Sequence, residues 1–186
     1  MRRHLAYLRY VLRHKLYVGL ACFRYGLWWR AIKHDWSKFL PCEWTAYAHS
    51  FYNRDGSRRD WKSRDAFDKM EFDAAWNHHQ KVNDHHWQYW CLITDSDEPR
   101  YRPLLMPEVS LREMVADWVG AGRAITGKIE VCDWYAKNKD KILLNPSNRV
   151  RVEELLQDWS TGNYISASTR GHAELTGSTG TSKQDP

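Results

Sequence analysis

The residues of this chain best suited to chemistry are its histidines and a few of its aspartates. His34 and Asp35 are adjacent, in the run His34-Asp35-Trp36-Ser37-Lys38-Phe39. A second run, Trp76-Asn77-His78-His79-Gln80-Lys81-Val82-Asn83-Asp84-His85-His86-Trp87, holds four of the nine histidines. His14 lies within an N-terminal helical pattern, and Asp117 interrupts an apolar helix between Val115 and Trp118. Imidazole nitrogens suit Mn, Fe, Co, Ni or Zn, and carboxylates add hard oxygen ligands. Read as helix, the second run puts His79 and His86 about two turns apart on one face. That face reads Trp76, His79, Asn83, His86 and Trp90, and another carries His78, Val82 and His85. Two faces of ring nitrogens can serve more than one metal centre.

The elements that must position these groups are helical. Residues 3–33 read as helix, with Leu5, Leu8, Leu12, Leu16, Leu20 and Phe23 forming one apolar stripe. The segment Leu16–Ile32 reads as a buried helix. Pro41 opens a second helix to about Phe51, because proline is tolerated in a first turn. Residues 53–63 form a polar loop, and a long helix runs from about Arg64 into the 80s. His85–Leu92 forms a further segment, and the proline-rich stretch 94–107 is an irregular connector. Helices follow at about Pro107–Ile125 and Ile129–Leu143. A last one, capped by Ser147, runs through Trp159. Nothing alternates with period two, so the expected class is all-α with few or no strands. One domain over about residues 1–165 is expected, with a tail from Ser166 rich in Ser, Thr and Gly.

The run His34-Asp35-x-x-Lys38 resembles the motif of the HD-domain metal-dependent phosphohydrolases. In that family an earlier histidine, the His-Asp pair and a distant aspartate bind a first metal. His14, His34, Asp35 and Asp117 match that order. The resemblance implies that Asp35 bridges to a second ion held by interposed histidines. His79 and His86 are the first choices for it, and His78 and His85 follow. It further implies a compact helical bundle of the HD type, and one or two divalent transition metals. Asp35, Lys38 and His79 would have catalytic roles, and the substrate would be a nucleotide or related phosphate ester. The chain is also similar to a family of small phage and bacterial proteins that share H-D-x-S-K-F and H-H-x-x-x-N-x-H-H, over about residues 10–160. On that likeness the compartment is a cytoplasm, that of the host if the chain is phage-encoded. Two other readings stand beside hydrolysis. One is an HD-type di-iron oxygenase; the other is a non-enzymatic phage protein that binds a host factor or a nucleotide.

Composition narrows the classes. Net charge is +5, and residues 1–38 hold six Arg and three Lys against Asp35 alone. A basic block of that kind draws anions, and Arg13 and Lys15 flank His14. Stable nucleic-acid binding is not expected, because no helix-turn-helix, zinc-finger or RNA-recognition pattern is present. Cys22, Cys42, Cys91 and Cys132 are scattered, which argues against a disulfide framework and suits a reducing cytosol. Charge interrupts the N-terminus too early for a signal peptide. Arg24 and Arg30 break the one apolar segment long enough to suggest a membrane span, so no membrane partner is expected. Eleven tryptophans and ten tyrosines suit a thick core or an aromatic pocket, with Trp87 and Trp90 candidates to stack on a base. Phosphate-loop and nucleophile-elbow motifs are absent. Oligomeric state is left open.

Overall fold

The computed structural model describes residues 1–95 and 100–162. It is all-α apart from one small hairpin. In chain order the helices are α1 (Arg2–Arg24), α2 (Trp28–Lys33), α3 (Pro41–Phe51), α4 (Ala66–Val82), α5 (Glu108–Thr126), α6 (Val131–Asn138) and α7 (Pro146–Thr161). Between α4 and α5, β1 (Cys91–Ile93) pairs antiparallel with β2 (Tyr101–Pro103), with Leu92 opposite Arg102. The tail expected from Ser166 lies outside the described residues.

Local chemistry sets the helix ends. Residues 3–33 are two helices rather than one, because Gly26 takes a left-handed conformation (φ 72°) that turns the chain after Tyr25. The long helix begins at Ala66, where the Asp65 carboxylate accepts the Asp68 backbone N–H. Asn145, not Ser147, caps α7: its side chain accepts from Ser147 N, and Pro146 fills the first turn. The segment expected as Ile129–Leu143 is helical only over Val131–Asn138, followed by a 3-10 turn at Lys139–Lys141.

Helix α1 is the spine of the bundle. It packs along α5 and against α2 and α3; α3 in turn packs on α4, and α5 on α7. Its C-terminal half, through Val18, Ala21 and Cys22, enters a core with Leu111, Val115, Val119, Val152 and Leu155. Its N-terminal half, through Tyr7 and Val11, enters a second core with Ala46, Tyr47, Ala48 and Ala75. Burying each large apolar side chain contributes about 1.5–3 kcal/mol. His14 falls between Val11 and Val18, so the polar site sits where the two cores meet.

The expected apolar stripe of α1 is not the buried face. Leu5, Leu12, Leu16, Leu20 and Phe23 are all exposed, while Tyr7, Val11, His14, Val18, Ala21 and Cys22 face inward. The reason is spacing. Gly120 of α5 lies against the Val18 backbone, where even a Cβ would overlap. The contact face of α1 is therefore built from smaller side chains and from His14, which must reach the site. The leucines are left on the opposite side.

Candidate metal centre

Two histidines and two aspartates from three segments form the first group. His14 comes from α1, His34 and Asp35 from the turn after α2, and Asp117 from α5. His14 Nε2 lies 3.1 Å from Asp35 Oδ2 and 3.2 Å from Asp117 Oδ1. His34 Nε2 lies 3.3 Å from each of the same two oxygens. A transition metal bound at about 2.0–2.2 Å holds neighbouring donors about 3.0–3.5 Å apart. The four atoms therefore have the spacing of a metal's first coordination sphere.

The second group joins the other oxygen of Asp35 to three histidines. Asp35 Oδ1 lies 3.3 Å from His79 Nε2 and 3.4 Å from His85 Nε2, with His86 completing the set. Asp35 Oδ1, His79 Nε2, His85 Nε2 and His86 Nε2 are all buried and make no hydrogen bond. Buried polar atoms are nearly always satisfied, and an orphan calls for an explanation such as an ion. Four orphans converging on one point fit a metal. Asp35 thus faces both groups, one oxygen to each, and it is the one non-glycine described residue with positive φ, at 54°. Such strain is found where the surroundings enforce it, often at functional sites.

Electrostatics set the protonation of these groups. Burial alone would raise the Asp35 carboxyl, but His34, Lys38 and His79 outweigh it and hold the group well below the usual carboxylate range. Asp117 is likewise held down, against burial, by His14 and His34. Burial would lower His34, yet Asp35, Asp117 and Glu113 carry it well above the ordinary imidazole value. His86 goes the other way: burial, then His85 and His79, keep it neutral. A neutral ring keeps one nitrogen lone pair with which to ligate. Lys38 pairs with Asp35 Oδ2 at the edge of the first group.

Two buried glutamates orient the rings. Glu113 Oε1 accepts from His34 Nδ1 at 3.0 Å and lies 3.4 Å from His85 Nδ1, while its Oε2 accepts from Arg30 at 2.8 Å. Glu43, fully buried, accepts from His79 Nδ1 at 2.8 Å and from His78 Nδ1 at 2.8 Å. A proton fixed on Nδ1 leaves Nε2 free to ligate. His34, His85 and Glu113 also lie close enough to hold an ion. Because both rings turn Nε2 to the main groups, Glu113 is better read as their acceptor.

Of the expected ligands, His14, His34, Asp35, His79, His86 and Asp117 all converge. His85 joins them as a full member. His78 does not: it is part-exposed and bound to Glu43, outside both groups. The shared helical face of His79 and His86 is also corrected. Helix α4 ends at Val82, where the Asn83 amide folds back onto the His79 carbonyl, and the turn beyond it brings in His85 and His86. In the sequence Glu43 reads as helix-surface charge, and Glu113, four residues before Asp117, offers a partner to a ligand but reads more readily as solvent-facing. A signal existed for both. Glu43 shares a helical face with Ala46, Tyr47 and Ser50, and Glu113 precedes Ala116, Asp117 and Gly120 on another.

Two cavities reach the centre. One, of about 370 Å³, exposes His34, Asp35 and His85 and is flanked by Trp29, Arg30 and Lys33. The other, of about 290 Å³, exposes His86 and Asp117 and is walled by Trp76, Trp87, Trp118 and Trp134, with Lys141 at its edge.

Fold and site together define a class: an all-helical protein with a buried His/Asp cluster of metal-binding geometry. The chain belongs to DUF5662, a family of unknown function, whose model matches residues 3–158. No curated protein and no solved structure matches it.

Proposed function

We propose that this protein is a metal-dependent phosphohydrolase of the HD type, acting on a nucleotide or related phosphate ester. The observation that carries the reading is Asp35, whose two oxygens face two ligand groups: His14, His34 and Asp117 on one side, His79, His85 and His86 on the other. Divalent transition metals held there would polarise a phosphoryl oxygen and acidify water. The chain's own part is positional. Glu43 and Glu113 fix the imidazole tautomers, and Lys38 supplies a compact charge beside Asp35 for a phosphate oxygen. The tryptophan-walled cavity offers flat apolar surface for a base, next to His86 and Asp117. Lys33 adds positive charge at the other mouth, where Arg30 is taken up by Asp84 and Glu113.

The test begins with elemental analysis of freshly purified protein beside Asp35→Ala. The expected result is one or two equivalents of manganese, cobalt, nickel or zinc, lost in the variant. Phosphate release from a nucleotide panel should then be lost as well. Iron with an oxygen-dependent spectrum would move the reading to an HD-type oxygenase. Absence of metal even after reconstitution, or near-normal turnover in Asp35→Ala, would end it and leave a binding protein.

A further inference from the structure

The outward face of α1 and α2 is apolar to an extent that the bundle does not explain. At 100° per residue, Leu5, Leu12, Leu16, Leu20 and Phe23 fall within an arc of about 80°. That arc points directly away from Val11, His14 and Val18. Helix α2 continues it: Phe23 meets Trp28 at 5.0 Å between ring centroids, Ile32 follows four residues on, and Trp36, in the turn beyond the helix, donates its indole N–H to the Ile32 carbonyl. Exposure is 54% for Leu12, 58% for Leu16, 67% for Trp28, 58% for Ile32 and 57% for Trp36. Single exposed leucines need no explanation, whereas a contiguous apolar face marks an interaction surface.

Charge decides between occupants. Toward one side of the arc, Arg9 lies within it, Arg2 at its edge and Arg13 about 20° beyond; all three are exposed, and no acidic residue occurs among residues 1–34. A two-fold pairing of antiparallel α1 helices would bring both arginine rows to the same side. A parallel pairing would set each row against the partner's flank that carries Lys15. Neither supplies an acid from this segment, so a second copy meets like charge. An anionic bilayer answers both features. Leucine and phenylalanine side chains enter the acyl boundary, indoles prefer the headgroup level, and arginines pair with phosphate. Helix α1 is about 34 Å long and would lie flat. No helix among the described residues is long and apolar enough to cross.

We propose that the α1–α2 face is a peripheral docking surface for an anionic lipid bilayer. The test is flotation of the full chain with vesicles of phosphatidylcholine alone or mixed with phosphatidylglycerol, with solution mass measured in parallel. The protein should float with the anionic vesicles, stay behind with the neutral ones, and be released by salt. Arg9→Gln/Arg13→Gln, changed only on a solvated flank, should weaken binding by about tenfold or more. Leu12→Gln/Leu16→Gln should abolish it with the helical circular-dichroism spectrum unchanged. If the leucine variant fails to fold, brominated phosphatidylglycerol replaces it: quenching of indole fluorescence should be smaller in Trp28→Phe/Trp36→Phe than in the unaltered chain. Absence of binding to anionic vesicles would overturn the proposal. So would equal binding to both vesicle types. A solution mass twice the 22.1 kDa of one chain, reduced to one by Leu12→Gln/Leu16→Gln with no flotation, would assign the face to a second copy.

Discussion

Gly120 and Val18 touch backbone to backbone. A Cβ at Gly120 would stand 2.5 Å from Val18 N and 2.7 Å from Val18 Cα, closer than real atoms approach. Neither residue is a ligand. Each lies about one turn beyond one, however: Val18 after His14, Gly120 after Asp117. The crossing of α1 and α5 therefore fixes the separation of two first-group ligands. Gly120→Ala should cost about 1–3 kcal/mol, because the overlap is with backbone and cannot be relieved by a rotamer change. It should also weaken binding of the metal between His14 and Asp117. Gly122, on the same helix, has nothing within 4 Å of where its Cβ would be. Gly122→Ala should raise stability by about 0.5–1 kcal/mol through helix propensity. Thermal denaturation of both variants, with metal equivalents counted, checks the pair. Equal stability in the two would mean that the close crossing is not formed.

The two orienting glutamates should be separable by which metal they affect. Glu43 touches only the second group, through His79, whereas Glu113 contacts His34 of the first and His85 of the second. Loss of such a partner typically lowers metal affinity by about 10–100-fold. Glu43→Gln should therefore weaken one equivalent and leave the other, and Glu113→Gln should weaken both. Chelator competition with the two variants measures this directly. A uniform loss in Glu43→Gln would show that the two groups do not bind independently.

The sequence makes some of this site legible and hides the rest for identifiable reasons. Helix existence and order follow from period, and His34-Asp35 is visible because the two are adjacent. A helical wheel carried past Val82 puts His85 on a different face from His79, whereas Asn83 in fact ends α4. A turn can bring both His85 and His86 inward, which a helix cannot. Glu43 and Glu113 are hidden for another reason: a buried carboxylate reads as a surface charge until its partners, far away in the chain, are known. The leucine stripe of α1 fails in the opposite sense. Hydrophobic periodicity reveals that a face is apolar but not what covers it, and here Tyr7, His14 and smaller residues make the interior face.

Lys38 should separate chemistry from metal binding. It pairs with Asp35 Oδ2, the oxygen that faces the first group, so it balances that buried charge in competition with an ion. Asp35 in turn holds the Lys38 ammonium in its charged form, well above the usual lysine range and against the effect of burial. Lys38→Met removes the competitor and leaves the ligands. Metal affinity should hold or rise, while phosphate-ester turnover should fall by about 10²–10³-fold if the ammonium meets the developing charge. Unchanged turnover would show that Lys38 serves only to balance Asp35.

Metal binding should tighten as pH rises through neutrality, with protons released. His34 is held well above its ordinary value of 6.5; burial opposes this, but Asp35, with Asp117 and Glu113, outweighs it. His79 is raised as well, by Asp35 and Glu43 against burial. Both rings therefore carry a proton in the metal-free protein at pH values where free imidazole has lost it. An ion requires their Nε2 lone pairs, so each must give up its proton on binding. Below the raised values the proton wins and affinity falls; above them the competition ends and affinity levels off. His86, kept neutral by burial and by His85 and His79, adds no proton of its own. Calorimetric titration of metal into chelator-treated protein, in buffers of different ionisation enthalpy, counts the protons directly. The count should be largest near neutral pH and decline on the alkaline side. A count of zero near neutral pH would mean that the carboxylates do not hold these histidines protonated.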